Sequence, residues 1–295
     1  MKEGPTSTNK SRSDKSRREI LKTGLLAAGI LAFPGTQPSS ASTSVDETPD
    51  PLRGLKLGIT SYSVRKMNLD DAIKATVRLG VRYISLKDFH LPLKSTSDQR
   101  REVSRKIKEA GLVLMGCGVI YMKNDESEIE NAFEYARDAG IPTMVASPDP
   151  AAMGIVDKMV KKYGTRVAIH NHGPEDKQYP TPDSVRKAIE GYDSRIGLCI
   201  DIGHTTRSGL NAAAEIRKHA PRLYEIHFKD VDRPVAGGKT VEAGRGVIDI
   251  PAVLRALRDI GFQGNVALEF EKDADDPLTG MAESIGYARG VLRML

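Results

Sequence analysis

Residues 55–295 predict one α/β domain, an eight-stranded parallel barrel wrapped by helices, a (β/α)8 barrel. Three observations carry that expectation. Short β-branched runs alternate with helical patterns at a spacing of roughly 30 residues, the length of a strand–helix–strand repeat. Without its N-terminal stretch the chain is close to the roughly 250 residues that such a barrel usually takes. Five of the six histidines, His90, His170, His172, His204 and His227, fall at or just beyond the carboxyl ends of the strand-like runs, with carboxylates beside them.

Taken in order, the eight strands begin near Lys56, Arg82, Leu112, Pro142, Arg166, Ile196, Leu223 and Asn265. The first helix opens at Asn68-Leu69-Asp70-Asp71, an N-cap followed by acids that favour the positive end of the helix dipole, and Gly80 closes it. Ser97-Asp98 opens the second, which ends at Gly111. Further helical stretches run over Ser127–Ala139, Ala151–Tyr163, Pro182–Glu190, Leu210–His219, Ile250–Ile260 and Leu278–Leu295. The segment from Arg233 to Asp249, with Gly237-Gly238 and Gly244-Arg245-Gly246, reads as a long loop on the rim where strands end. An open doubly wound sheet is the competing architecture, but the Gly-rich phosphate turn that marks it does not follow the first strand.

The N-terminal 41 residues are expected outside the fold. Ser16-Arg17-Arg18-Glu19-Ile20-Leu21-Lys22 leads into the apolar run Gly24–Phe33, and Pro38-Ser39-Ser40-Ala41 offers small residues for cleavage. This is the pattern of a twin-arginine signal, which implies the twin-arginine translocase as a partner during export and a periplasmic address. The apolar run is too short for a stable membrane anchor. Residues 42–54 read as a flexible linker. The leader holds most of the net charge of +5, so the rest of the chain is near neutral and lacks the basic face that nucleic-acid binding needs. Cys117 and Cys199 sit inside strand-like runs, where cysteine serves as a small buried hydrophobe. A homo-oligomer is compatible with the sequence.

The chemistry gathers on four consecutive strand ends. The fifth ends Ile169-His170-Asn171-His172, the sixth Ile200-Asp201-Ile202-Gly203-His204, the seventh Ile226-His227-Phe228-Lys229-Asp230, the eighth Leu268-Glu269-Phe270-Glu271. Because side chains alternate along a strand, inward residues at the same height on neighbouring strands point at one place. Imidazoles and carboxylates together suit one divalent ion, Mn²⁺, Co²⁺, Fe²⁺ or Zn²⁺, better than Ca²⁺.

At these motifs, and at Gly244-Arg245-Gly246-Val247-Ile248-Asp249, the chain resembles the xylose-isomerase-like TIM barrel family of sugar phosphate isomerases and epimerases, over nearly all of residues 55–295. The resemblance implies a metal set of Asp201, His227 and Glu269, with His204 and Arg245 on the substrate. It departs at the fifth strand, where many sugar epimerases carry a glutamate that binds metal and moves a proton; here His170 stands there. His170 is taken as the fourth ligand in preference to His172.

The expected function is a metal-dependent isomerase or epimerase of a sugar or keto-sugar that works through an enediolate, with Glu269 as base and Lys229 or His172 returning the proton. The alternative is a lyase on a keto-sugar or keto-polyol of the inosose-dehydratase type, since relatives with His-x-His on the fifth strand include it. A non-catalytic periplasmic sugar-binding protein is the third reading. The abasic-site endonucleases that share the barrel use several metals and a basic DNA face, for which this chain has too few ligands and too little charge. Lys87 and His90, after the second strand, are weaker candidates for substrate contact; Tyr62, Arg65, Asp88, Tyr121, Lys123 and Glu175 are candidates for lining the entrance. Glu225, on the same face as His227, is expected to orient an imidazole.

Overall fold

Runs such as Lys56–Thr60, Ile196–Asp201 and Leu223–Phe228 bury nearly every residue, as parallel strands covered on both faces must. In the computed structural model, which describes Met1 and residues 52–295, these runs close a barrel. Its strands are β1 (Lys56–Thr60), β2 (Tyr83–Leu86), β3 (Val113–Met122), β4 (Thr143–Pro148), β5 (Arg166–His170), β6 (Ile196–Asp201), β7 (Leu223–Phe228) and β10 (Asn265–Leu268). All neighbours pair parallel, and β10 closes on β1. The expected signal at residues 1–41 and most of the expected linker lie outside the described residues. Among the described residues, no helix is long and apolar enough to cross a membrane.

The outer helices are α1 (Leu69–Arg78), α2 (Ser97–Glu109), α3 (Glu126–Ala139), α4 (Met153–Tyr163), α5 (Pro182–Ala188), α6 (Ile202–Arg207), α7 (Ala212–Lys218), α8 (Ile250–Asp259) and α9 (Leu278–Met294). Asn68 caps α1 by accepting the Asp71 N–H, as its sequence signal implies. The second helix opens at Ser97 as expected, with Thr96 as its cap, reciprocated by Gln99. Aliphatic residues of the helices pack on the outward faces of the strands as the main core. A small separate cluster, Val145, Ala168 and Cys199, fills the barrel interior beneath the carboxyl rim. Both cysteines are free and buried.

Two elements differ from the sequence reading. α6 starts directly after β6, where the Ile, Thr and Gly of Ile202–Thr206 are weak helix formers; Asp201 starts it by accepting the His204 N–H at 2.8 Å. The long rim loop is tied back on the segment before it: β9 (Thr240–Val241), within the loop, pairs antiparallel with β8 (Asp230–Val231), which precedes it.

Candidate metal centre and active site

Register sets the height of each side chain. His170 pairs with Cys199, and Asp201 with His227, which in turn pairs with Ala267, two residues before Glu269. One donor atom from each of His170, Asp201, His227 and Glu269 lies within 4.8 Å of the others. His170 Nε2 is 3.3 Å from Asp201 Oδ2, and His227 Nδ1 is 3.2 Å from Glu269 Oε2. Asp201 is fully buried, and its Oδ1 is committed to capping α6, which leaves Oδ2 facing the cluster. Asn171 accepts the Asp201 N–H at 3.0 Å and so holds the strand end in place.

Lys229 enters the same cluster. Its ammonium is 2.9 Å from Asp201 Oδ2, 2.8 Å from Glu269 Oε2 and 2.5 Å from Glu271 Oε1. Burial alone would depress the lysine pKa, but three carboxylates hold it well above its ordinary value. Burial would likewise raise Glu269, and the positive charges at His227 and Lys229 instead hold it well below the usual carboxylate range. Asp201 is held low in the same way by the surrounding imidazoles and Lys229. Burial lowers His170, His172 and His204, so at neutral pH these rings are uncharged and keep a lone pair for a ligand. Gly203 is required here: a Cβ at this residue would lie 2.5 Å from Lys229 Cγ.

A divalent cation fits these residues. His227 Nδ1 is buried with no hydrogen-bond partner although it faces two carboxylates, an expense that coordination would remove. Glu271 gives the Lys229 ammonium a partner of its own, so Asp201 and Glu269 can turn to a cation without stranding the lysine. The Cys199 thiol, pushed up to about 11 by burial, stays protonated and is a poor ligand. The buried cluster of histidine and carboxylate is therefore consistent with a divalent metal site.

Around it stand the other rim residues. The rings of His170 and His172 are 4.4 Å apart, those of His170 and His204 5.8 Å. His172 lies 3.5 Å from Asp176 and stacks on Tyr121. His204 Nδ1 accepts from Arg207 at 3.0 Å, so its proton sits on Nε2, which points toward Asp201 Oδ2 at 4.0 Å. His204 thus presents a donor to the cavity.

The remaining sequence candidates are not drawn in. Arg245 turns outward and makes a two-pronged ion pair with Glu283 of α9, at 2.5 and 2.7 Å, so it does not reach the cluster. His90 is buried against the Met67 carbonyl, 2.9 Å from its Nε2, and Lys87 donates to the Val119 carbonyl at 3.3 Å. Glu225 orients no imidazole: it accepts from Asn265 at 2.9 Å, and burial pushes its pKa up to about 8, so it is a neutral carboxyl beneath the site. Arg65 lies on the Tyr62 ring and donates to the Glu271 carbonyl. Sequence reasoning missed Arg207 and gave Glu271 no role. An earlier reading of Asp201 as a helix cap would have placed His204 and Arg207 one turn apart on one face.

A cavity of about 360 Å³, lined by His204, Arg207, Lys229, Lys239, Glu271 and Lys272 among others, opens over the cluster. A larger one, about 850 Å³, opens at the opposite end of the barrel, but no imidazole or carboxylate is among its described lining residues. Among the described residues, the cavity at the strand carboxyl ends, where such barrels carry their chemistry, is the one of these two that adjoins the imidazole and carboxylate cluster.

The xylose isomerase-like TIM barrel model matches residues 73–291. The chain belongs to this family. It is 29% identical over 134 residues to inosose dehydratase of Klebsiella pneumoniae, a match covering 39% of this chain and 44% of that one. The chain spans 41 to 44% of the length of the curated relatives it matches first. Among solved structures it is similar to the 3-keto-D-glucoside 4-epimerase YcjR of E. coli, with a TM-score of 0.65 and 18% identity over 80% of this chain and 99% of that one. It is also similar to an IOLI protein solved with a bound zinc atom, with a TM-score of 0.69 and 18% identity over 81% and 99%. These likenesses show the fold. The family match gives the barrel its membership, and the buried cluster is consistent with a divalent metal site.

Proposed function

We propose that the chain is a divalent-metal-dependent enzyme that removes a proton beside the carbonyl of a sugar or keto-sugar to form an enediolate. The convergence of His170, Asp201, His227 and Glu269 on one point carries this reading. The four residues would hold one ion of the Mn²⁺, Co²⁺, Fe²⁺ or Zn²⁺ class; when bound it supplies a Lewis acid to adjacent substrate oxygens.

The side chains divide the remaining work. Glu269 is ionised and is the carboxylate that accepts the proton from carbon; the C–H electron pair becomes the C–C double bond and the carbonyl oxygen takes the charge. Lys229 is an ammonium and can give a proton, whereas His172, neutral through burial, is a poorer donor than the sequence suggests. His204 Nε2–H donates to a substrate oxygen and orients it.

Two fates remain for the enediolate. Proton return to the neighbouring carbon gives isomerisation. Departure of a β-hydroxyl, protonated by Lys229 to leave as water, gives dehydration. With His170 in place of a carboxylate on β5, the cluster offers a carboxylate base on one side only, which disfavours a two-base epimerisation. The match to inosose dehydratase supports the lyase outcome, and we place it level with isomerisation.

The test is incubation of metal-loaded enzyme with aldoses, ketoses and 3-keto-sugars in D₂O, followed by NMR. Isomers carrying solvent deuterium mark an isomerase, and unsaturated products a lyase. Glu269→Gln is expected to lose exchange by about 10²-fold or more while keeping weakened metal binding. Full turnover in that variant removes Glu269 from the base role, and no exchange or elimination with any carbonyl sugar overturns the enolisation reading.

A further inference from the structure

Outside the barrel, a second set of metal-ligating side chains converges where α7 ends beside α5. Glu215 and His219 stand four residues apart, about one helical turn, so both side chains lie on one face of α7. The turn between them is formed, since the His219 N–H donates to the Glu215 carbonyl at 3.0 Å. Asp183, the second residue of α5, reaches the same place. His219 Nε2 is 3.1 Å from Glu215 Oε2 and 3.1 Å from Asp183 Oδ1, and one donor atom from each of the three lies within 4.8 Å of the others. The backbone beneath them is fixed: Thr181 and Ser184 cap α5 reciprocally, and Asn211 caps α7 by accepting the Ala214 N–H.

Two features set this group apart from a surface ion pair. The imidazole is 3% exposed and the Glu215 side chain 10%, against 57% for Asp183, so the point they share is walled on one side and open to water on the other. An imidazole also carries at most one proton on Nε2, and here two carboxylate oxygens stand at equal distance from that nitrogen. Lys218 does not use those two oxygens. Its ammonium is 2.6 Å from Asp183 Oδ2 and 3.8 Å from Glu215 Oε1, the other oxygen of each carboxylate, so Oδ1 and Oε2 stay turned toward the ring. Lys218 also holds the Asp183 carboxyl below its ordinary value, which keeps it ionised at neutral pH.

We propose that Asp183, Glu215 and His219 form a second divalent-cation site, for Zn²⁺, which clamps α5 to α7 and is completed by water on its open side. His219 would coordinate through Nε2 with its proton on Nδ1, and the two inward carboxylate oxygens would supply the negative charge. One imidazole with two carboxylates selects a borderline ion such as Zn²⁺ over Ca²⁺ or Mg²⁺. Three donors, one of them exposed, make this the weaker of the two sites, filled only at free zinc above what saturates the four-residue cluster in the barrel. The proposal does not depend on the enolisation reading.

Equilibrium dialysis of the full chain against graded free zinc, with bound metal counted per chain, tests it. The parent is expected to take up zinc in two steps, one ion in each. Asp183→Asn and His219→Gln keep the tighter step and weaken the other by at least about 10-fold. His227→Ala keeps the weaker step and loses it when Asp183→Asn is added, and excess Ca²⁺ does not displace that zinc. Asp183→Asn changes an exposed residue, so the test stands even where His219→Gln fails to fold. A single step that His227→Ala abolishes overturns the proposal. So does a weaker step that persists at full strength in Asp183→Asn, which would leave the three residues a hydrogen-bonded tie between helices, or one that Ca²⁺ displaces. The two metal sites fail separately: a step lost in Asp183→Asn but untouched by His227→Ala, with no other, leaves the outer site and removes the barrel one.

Discussion

One carboxylate, Asp230, holds down the long loop of the active rim. Its Oδ2 accepts the N–H groups of Gly244 and Gly246 at 2.9 and 3.0 Å, and its Oδ1 those of Val231 and Ile248 at 2.8 and 3.1 Å. This joins the two stretches of sequence that carry much of the family likeness, His227-Phe228-Lys229-Asp230 and Gly244-Arg245-Gly246. Gly246 is there because a Cβ would lie 2.2 Å from Asp230 Oδ1. Gly246→Ala is therefore expected to cost about 1–3 kcal/mol by overpacking, read as a lower melting temperature. A melting curve superimposable on the parent would show that the loop gives way easily and that the contact is unimportant. Both motifs were visible as residues, and Arg245 between the glycines invited a substrate role; its partner Glu283, on a helix 38 residues on, was not visible.

At the scale of elements, local signals placed most helices because caps and glycine stops act within a few residues. The exception, α6, shows the limit: propensity argued against it, and one buried aspartate overrode propensity. Elements are also tied to each other by groups that no periodicity reveals. Arg100 on α2 reaches Asp138 on α3 at 3.3 Å, both nearly buried, and also bonds Asn131 and the Leu93 carbonyl. Burial would raise the Asp138 pKa, but Ser97, Arg137 and Arg100 pull it below its ordinary value. A carboxylate with a lowered pKa stabilises the fold above its unfolded value of about 3.9 and loses that contribution as pH falls through the folded value. Asp138→Asn should then destabilise by about 3–5 kcal/mol at pH 7 and progressively less below pH 4. Urea titrations across pH check this, and a pH-independent difference would show that the ion pair is not the cause. His219, the one histidine off the rim, plays a comparable part, with Nε2 3.1 Å from both Glu215 of α7 and Asp183 of α5.

For the whole molecule, metal and fold should be linked. An ion held by four side chains on β5, β6, β7 and the end of β10 fastens half of the barrel. At a concentration 100 times its dissociation constant it adds about 2.7 kcal/mol, which for a chain of this size raises the melting temperature by roughly 5–10 °C. Calorimetry with Mn²⁺, Co²⁺ and Zn²⁺ is expected to show that rise, with chelator reversing it and His227→Ala abolishing it. The same melting temperature with and without each ion would leave the cluster a Lys229-centred ionic network and return the protein to a sugar-binding role.

Composition and periodicity by themselves determined the barrel, the order of its eight barrel strands and of every outer helix but α6, and the rim on which reactive residues gather. A strand pleat fixes by local geometry which side chains face inward, so spacing put imidazoles and carboxylates of four strand ends on one face; the family resemblance singled out Asp201, His227 and Glu269, and the pleat left His170 and His172 as alternatives. Only the tertiary structure decided where residues beyond the strand ends point. His90 turned to a backbone carbonyl, Arg245 to another helix, Arg207 to His204 and Lys239 to the cavity wall, because loop side chains take their direction from distant partners rather than from the period of their own segment.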